Sequence, residues 1–236
     1  LAERGPERDV AAVDVVIPVH DMARHLPAAI LSVLGQQPPP AQVIVVDDAS
    51  TDGSAAAAAA FGPRVRLLRR AVRGGVSAAR NDGIRAASAP LLGFLDADDL
   101  WAEGSLQSRR AALAAQPRLD AVFGLVRQFL CESLPAERRE RIRCPATPQR
   151  GYLIGGMLAR REVFARFGGF DHSLRAAQFV DWLAAARSGG LAVAMIERVV
   201  LLRRLHGANL GLLHPELRRE YLEVVRRHLA RGRENS

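Results

Sequence analysis

The stretch LLGFLDADDLW, residues 91–101, closes an apolar run with three carboxylates in four positions, Asp96, Asp98 and Asp99. Side chains alternate along an extended chain, so if strand geometry persists Asp96 and Asp98 point to one side and Asp99 to the other. A pair of like charges so placed repels itself unless something positive sits between, and clasping a cation is the chemistry such a pair offers. A solvated turn is the alternative, because Asp is common in turns and at helix N-caps. A DxD on its own does not choose between the two.

The elements around it narrow the choice. The first 127 residues alternate β-like and helix-like runs, the pattern of a parallel sheet with crossover helices. VDVVIPV (13–19), QVIVVD (42–47), RVRLLR (64–69), LLGFLD (91–96) and AVFGLVRQF (121–129) read as strands. Residues 23–36, a segment from Ser54, residues 75–88 and 105–116 read as helices. This Rossmann-like half spans 1–130. Residues 131–150 are polar and proline-punctuated and read as a loop or linker. In 151–236 a short strand leads to a helix stopped by Gly168 and Gly169, and 180–190 is another helix. A β-like pair then precedes His206, and 215–232 forms an amphipathic terminal helix. Ligands of such sheets bind at the carboxyl ends of the strands. Three of those ends carry informative residues: Pro18 to Asp21, DDASTDGS (47–54) and DADD, which one sheet edge would bring together.

Composition bounds the chemistry further. The 236 residues hold 33 basic and 25 acidic side chains, a net +8, and every basic residue is arginine. A lysine-containing Walker A loop, a Schiff-base lysine and a lysine general base are therefore excluded. Positive charge favours a phosphorylated ligand, but arginine-only usage beside alanine tracts such as Ala55–Ala60 looks like codon bias and weakens any inference to nucleic acid, which is not expected as a partner. The two cysteines, Cys131 and Cys144, fit neither a zinc site nor a CxxC. No apolar run reaches 18 residues and LAERGPERD has no signal-peptide core, so the expectation is a soluble cytoplasmic protein without a transmembrane segment.

Taken in order, VVIPVHDMARHLPAAILSVLGQQ, VIVVDDASTDGS, GGVSAARNDGI, LLGFLDADDLW, GGFDHSL and RRLHGAN resemble the family-2 glycosyltransferases of the GT-A fold, over roughly residues 13 to 210. The resemblance implies an α/β fold with a mixed central sheet flanked by helices, in which a nucleotide-binding half is continuous with an acceptor-binding half. It implies transfer, with inversion, of a sugar from a nucleotide-diphosphate donor to an acceptor the sequence does not identify. Asp96 and Asp98 are similar to the family's metal motif, whose hard oxygens suit Mg²⁺ or Mn²⁺. His206 resembles a later histidine that reaches back to the metal or diphosphate, with an idle loop histidine as the alternative. Asp48 corresponds to the aspartate that accepts from the base, and Pro18, Val19 and His20 to the wall along which the base lies; His20 is equally well read as a surface histidine. Arg80 resembles an arginine beside the donor, where a fixed guanidinium fork suits ribose and phosphate oxygens. Asp99 either supports the metal's ligands from behind or binds the ribose, or it caps the following helix.

One departure stands out. The family opens a helix of the second half with an ED dipeptide whose aspartate is the general base, and here Gln178 and Phe179 occupy those positions. The nearest carboxylate is Asp181. Either it serves as base with shifted geometry, or the acceptor needs little base help, or the chain binds nucleotide sugar yet transfers poorly. A general base contributes about 10²–10⁴ in rate, so its loss leaves slow chemistry. Two other enzyme classes fit less well. A haloacid-dehalogenase-like phosphatase would carry its DxD on the first strand and a downstream lysine. A dinucleotide enzyme would have G-x-G-x-x-G where PVHDMAR stands.

Overall fold

The computed structural model describes residues 11–207 and 217–234. Strand β1 (Val13–Val19) is buried throughout because it has neighbours on both edges and helices on both faces. It pairs in parallel with β2 (Gln42–Asp47) on one side and β4 (Leu91–Phe94) on the other, and β3 (Val65–Arg69) extends the sheet beyond β2. The alternation of β1 sorts its side chains. Val13, Val15, Ile17 and Val19 pack with Leu26, Ile30 and Val33 of α1 (Leu26–Leu34), whereas Val16 belongs to the opposite layer with Ile44, Val46 and Phe94. Helix α2 (Ser54–Ala59) lies beside α1, and α3 (Gly75–Ala86) covers β1 so closely that a Cβ on Gly83 would stand 2.3 Å from Val16 Cγ1.

Beyond β4 the sheet is mixed. After the short β5 (Leu100–Trp101) and α4 (Ser105–Ala115), strand β6 (Ala121–Leu130) does not join β4 directly. β8 (Leu158–Arg160) runs antiparallel between them, so the two sequence-defined halves share one sheet of order β3-β2-β1-β4-β8-β6-β9-β5. The β-like pair expected after 190 is a single strand, β9 (Val193–Leu205), parallel to β6. Its register slips between Gly124 and Leu125 and again between Leu125 and Val126, which leaves Glu197, Arg198 and Val200 without a partner in β6 and makes the sequence look interrupted. Gly124 permits this, since a Cβ there would meet Arg198 O at 2.7 Å and Val200 Cγ1 at 2.5 Å.

The expected loop at 131–150 contains a short helix, α5 (Ala136–Arg141), and an edge strand, β7 (Gln149–Arg150), paired with β6. Helix α6 (Glu162–Phe167) ends at Gly168, whose φ of 80° suits a residue without Cβ. Helix α7 (Gln178–Ser188) supplies Phe179 and Trp182 to an aromatic layer with Phe94, Phe164 and Phe170. The terminal helix α8 (Leu217–Glu234) packs on α7. The first two residues of the expected 215–232 helix, and Ala208 and Asn209 of the RRLHGAN motif, lie outside the described residues. No helix among the described residues is long and apolar enough to cross a membrane.

Candidate functional site

Because β1, β2 and β4 are parallel, their carboxyl ends open on one edge. Val19 is registered against Asp47, and Pro18 against Val46. The loops that follow lace together: Asp21, at a φ of 50°, accepts from the Thr51 N–H at 2.7 Å, Asp52 accepts from the Ala23 N–H at 2.9 Å, and Ser54 Oγ accepts from the Met22 N–H at 3.0 Å. His20 joins this lacing, with Nδ1 donating to the Asp48 carbonyl at 2.9 Å, a bond that fixes the proton on Nδ1. Asp48 is buried, and its two oxygens accept the N–H groups of Gly74 and Gly75 at 2.9 and 2.7 Å, with Arg70 Nε 2.8 Å away. It thereby ties the end of β2 to the start of α3. Asp47 is fully buried, and its Oδ2 has no hydrogen bond, with Arg69 Nε 3.5 Å distant. An open cleft of about 410 Å³ lies here, lined by Ala49, Ser50, Arg69, Arg70 and Ala71.

The acidic segment is not strand. β4 ends at Phe94, and the Asp99 N–H donates to the Asp96 carbonyl at 3.0 Å, closing a turn that sends the chain into β5. The alternation that would have aligned Asp96 with Asp98 ends there, and the three carboxylates have three different surroundings. Asp96 is ion-paired with Arg80 of α3, Nη2 to Oδ1 2.6 Å, and keeps 39% of its side chain exposed. Asp98 faces His206, Nε2 to Oδ2 2.8 Å. Burial pushes the Asp98 carboxyl up, but the hydrogen bond and charge of His206 outweigh it and hold it below the ordinary value. Asp99 is buried, accepts the Arg204 N–H of β9 at 2.8 Å, and is pushed well above the ordinary value by burial and by the charges of Asp98 and Asp96.

Two further residues complete this edge; each lies inside a motif stretch, but its residue type alone assigns it no role there. Arg204 Nε donates to the Asp98 carbonyl at 2.9 Å. The His25 ring lies 5.2 Å from that of His206, and burial, then Arg204 and His206, lower its pKa. His25 precedes α1 at the start of a segment that reads as a helix, and nothing in its spacing links it to a histidine 181 positions later (206 − 25).

The second half places the residues at the departure point differently. Gln178 and Phe179 are both buried, Phe179 in the aromatic layer and Gln178 with its Oε1 unpartnered. Asp181 points to α8, where His228 Nε2 lies 2.9 Å and Arg227 Nη1 3.7 Å from its Oδ1. The head of α7 is instead capped from α8. Glu220 accepts the N–H groups of Arg175, Ala176 and Ala177 at 3.0, 2.7 and 2.6 Å, and Tyr221 donates its hydroxyl to the Ala176 carbonyl at 2.9 Å. A cap delivered from 43 residues away leaves no local signature.

The donor chemistry of Asp96, Asp98 and His206, two hard carboxylates and an imidazole at one strand edge, fits Mg²⁺ or Mn²⁺. Among the described residues no group of three or more His, Cys, Asp or Glu side chains is by itself arranged to hold a metal ion; Asp96 turns to Arg80 while Asp98 turns to His206.

The family model described as Glycosyl transferase family 2 matches residues 14–176, ending directly before the head of α7. The structure is similar to that of S. aureus TarS 1–349 in complex with UDP-GlcNAc, at a TM-score of 0.72 and 16% identity over 92% of this chain and 65% of that one. It is similar to the same protein in complex with UDP, at a TM-score of 0.67. Against S. aureus TarS it has a TM-score of 0.65 and covers 82% of this chain but 37% of that one. The chain thus spans less than two thirds of the length of these structures. No curated protein sequence matches it.

Proposed function

Since the chain belongs to glycosyl transferase family 2, we propose that it transfers a sugar from a nucleoside-diphosphate sugar to an acceptor, with inversion and with a divalent cation. The observation that carries this reading is the convergence of Asp96, Asp98, Arg80 and His206 on the carboxyl edge of the parallel strands. Asp96, Asp98 and His206 would hold Mn²⁺ or Mg²⁺, the remaining ligands coming from the diphosphate. When bound, the cation neutralises charge that grows on the departing nucleoside diphosphate.

The chain's own residues do the rest. Arg80, buried and always charged, steadies Asp96 from α3 and offers its guanidinium to ribose and phosphate oxygens. Pro18, Val19 and His20 form the wall beside the base, and the hydrogen bond of His20 to the Asp48 carbonyl holds the imidazole in one orientation. Asp48 reads the base from the same loop while anchoring Gly74 and Gly75. Asp99 supports the turn from beneath by holding the Arg204 N–H. Asp181, the remaining carboxylate at the start of α7, is assigned the base, its Oδ1 held by His228. TarS complexes with UDP and UDP-GlcNAc support a uridine nucleotide as the first donor to try.

A second reading, nucleotide-sugar binding with slow or no transfer, is favoured by the burial of Gln178 and Phe179 and by the engagement of Asp181 with α8. Both readings predict that UDP or GDP raises the melting temperature only with Mn²⁺ or Mg²⁺ and that Asp98→Ala abolishes the rise. Stabilisation that ignores metal argues against both.

A further inference from the structure

The start of α8 presents an exposed aromatic ring beside the segment that leads into α7. Tyr221 is 41% exposed, yet its hydroxyl is fixed on the Ala176 carbonyl and the adjacent Glu220 pins the turn to three N–H groups of 175–177. The segment beneath the ring is itself tied to α3. Ser77 Oγ donates to the Asp171 carbonyl at 2.8 Å, and Asn81 exchanges two 2.9 Å bonds with the backbone of Phe170. Between Ser77 and Asn81, Arg80 lies with its guanidinium carbon 5.8 Å from the Phe170 ring and reaches Asp96. One continuous set of contacts therefore runs from Tyr221 through 170–177 and α3 to the acidic turn. Burial raises the Tyr221 pKa, and the charges of Arg203, Glu220, Arg80 and Asp96 act on its hydroxyl.

We propose that Tyr221 is a specificity-determining residue for the donor sugar: its exposed ring is the wall against which the C–H face of the hexose lies while the diphosphate is held at Asp96 and Asp98. The inference rests on the nucleotide-sugar reading above. A hexose pairs an apolar face with a rim of hydroxyls, and an aromatic ring beside fixed charges offers the matching surface. The ring is held before any ligand arrives, so little rotamer freedom is lost on binding. α7 cannot supply this wall, because Phe179 is turned into the core. The Tyr221 hydroxyl is already committed to Ala176, so the ring face is what acts; phenylalanine keeps that face and loses only the hydroxyl's hold on its orientation.

The test is calorimetric titration of the whole chain with UDP, GDP, UDP-GlcNAc and GDP-mannose in the presence of Mn²⁺, for wild type, Tyr221→Phe and Tyr221→Ala. At least one nucleotide sugar is expected to bind wild type more tightly than its own diphosphate. That increment falls about five- to tenfold in Tyr221→Ala and persists in Tyr221→Phe, while diphosphate affinities stay the same in all three. If Tyr221→Ala does not fold, Tyr221→Leu removes the planar face while keeping bulk, with the same loss expected. The inference is overturned if the alanine or leucine variant weakens diphosphate and nucleotide sugar alike, if the increment survives it, or if no sugar adds to its diphosphate in wild type. Wild type that binds none of the four sinks the donor reading itself.

Discussion

Glu220→Ala removes the carboxylate that α8 lays on the head of α7, where it accepts three backbone N–H groups at 2.6–3.0 Å. A helix N-cap is worth about 1 kcal/mol, and hydrogen bonds to a charged group about 1.5–3 kcal/mol each when well buried. Glu220 is only partly buried, so solvent screening brings the sum to roughly 2 kcal/mol. For a chain of this length about 1 kcal/mol moves the melting temperature by about 2–4 °C, which gives an expected drop of about 4–8 °C at pH 7. The sign with pH is also set. Burial pushes the Glu220 carboxyl up, but the three N–H bonds outweigh it and bring its pKa below the ordinary 4.5. A folded-state value below the unfolded one gives stability that is complete above the unfolded pKa and lost as pH falls through the folded one. Melting of wild type and variant, followed by circular dichroism at pH 7 and at successive steps below the ordinary carboxylate value, is expected to show a gap that closes on acidification. A gap below about 1 °C at neutral pH, or one that widens in acid, refutes the account of how α8 is held.

Asp181→Asn is expected to lower turnover of a nucleotide sugar by about 10² or more if it serves as base; unchanged donor hydrolysis removes it from the mechanism and leaves the binding reading. Asp99→Asn keeps an oxygen for the Arg204 N–H while removing a buried charge. Because the folded-state pKa of Asp99 is raised, its contribution is full below the unfolded value and declines as pH rises through the folded one. In EDTA the variant should therefore match wild type near pH 4 and exceed it by about 1 kcal/mol at pH 8, and urea unfolding that finds wild type the more stable at pH 8 contradicts this. Gly83→Ala would put a methyl 2.3 Å from Val16 Cγ1. A loss of about 1–3 kcal/mol is expected from the forced separation of α3 and β1, and an unchanged urea midpoint would show that the helix has room to move.

What sequence reveals here is what local pattern encodes. β1 and β2 agree to the residue with VDVVIPV and QVIVVD, because buried parallel strands are continuous apolar runs with sharp polar ends. The acidic motif was legible by residue type, but the turn that separates Asp96 from Asp98 was not, since it depends on β5 being pulled across to pair with β9. Likewise the insertion of β8 between β4 and β6 is a topological fact that no three-residue strand announces. The roles of His25, Glu220 and Tyr221 come from contacts between segments far apart in the chain, and each lies in a stretch whose own pattern is fully explained as ordinary helix. The departure at Gln178 and Phe179 was visible at once by residue type, whereas its structural consequence, a helix head capped from another helix, was not.

A crystal grown with UDP and Mn²⁺ tests the central claim most directly. The account predicts an anomalous manganese peak within about 2.5 Å of carboxylate oxygens of Asp96 or Asp98, bridging to the diphosphate, with the base lying beside His20. Nucleotide bound with no manganese at that edge, or manganese and nucleotide bound elsewhere on the molecule, would contradict it.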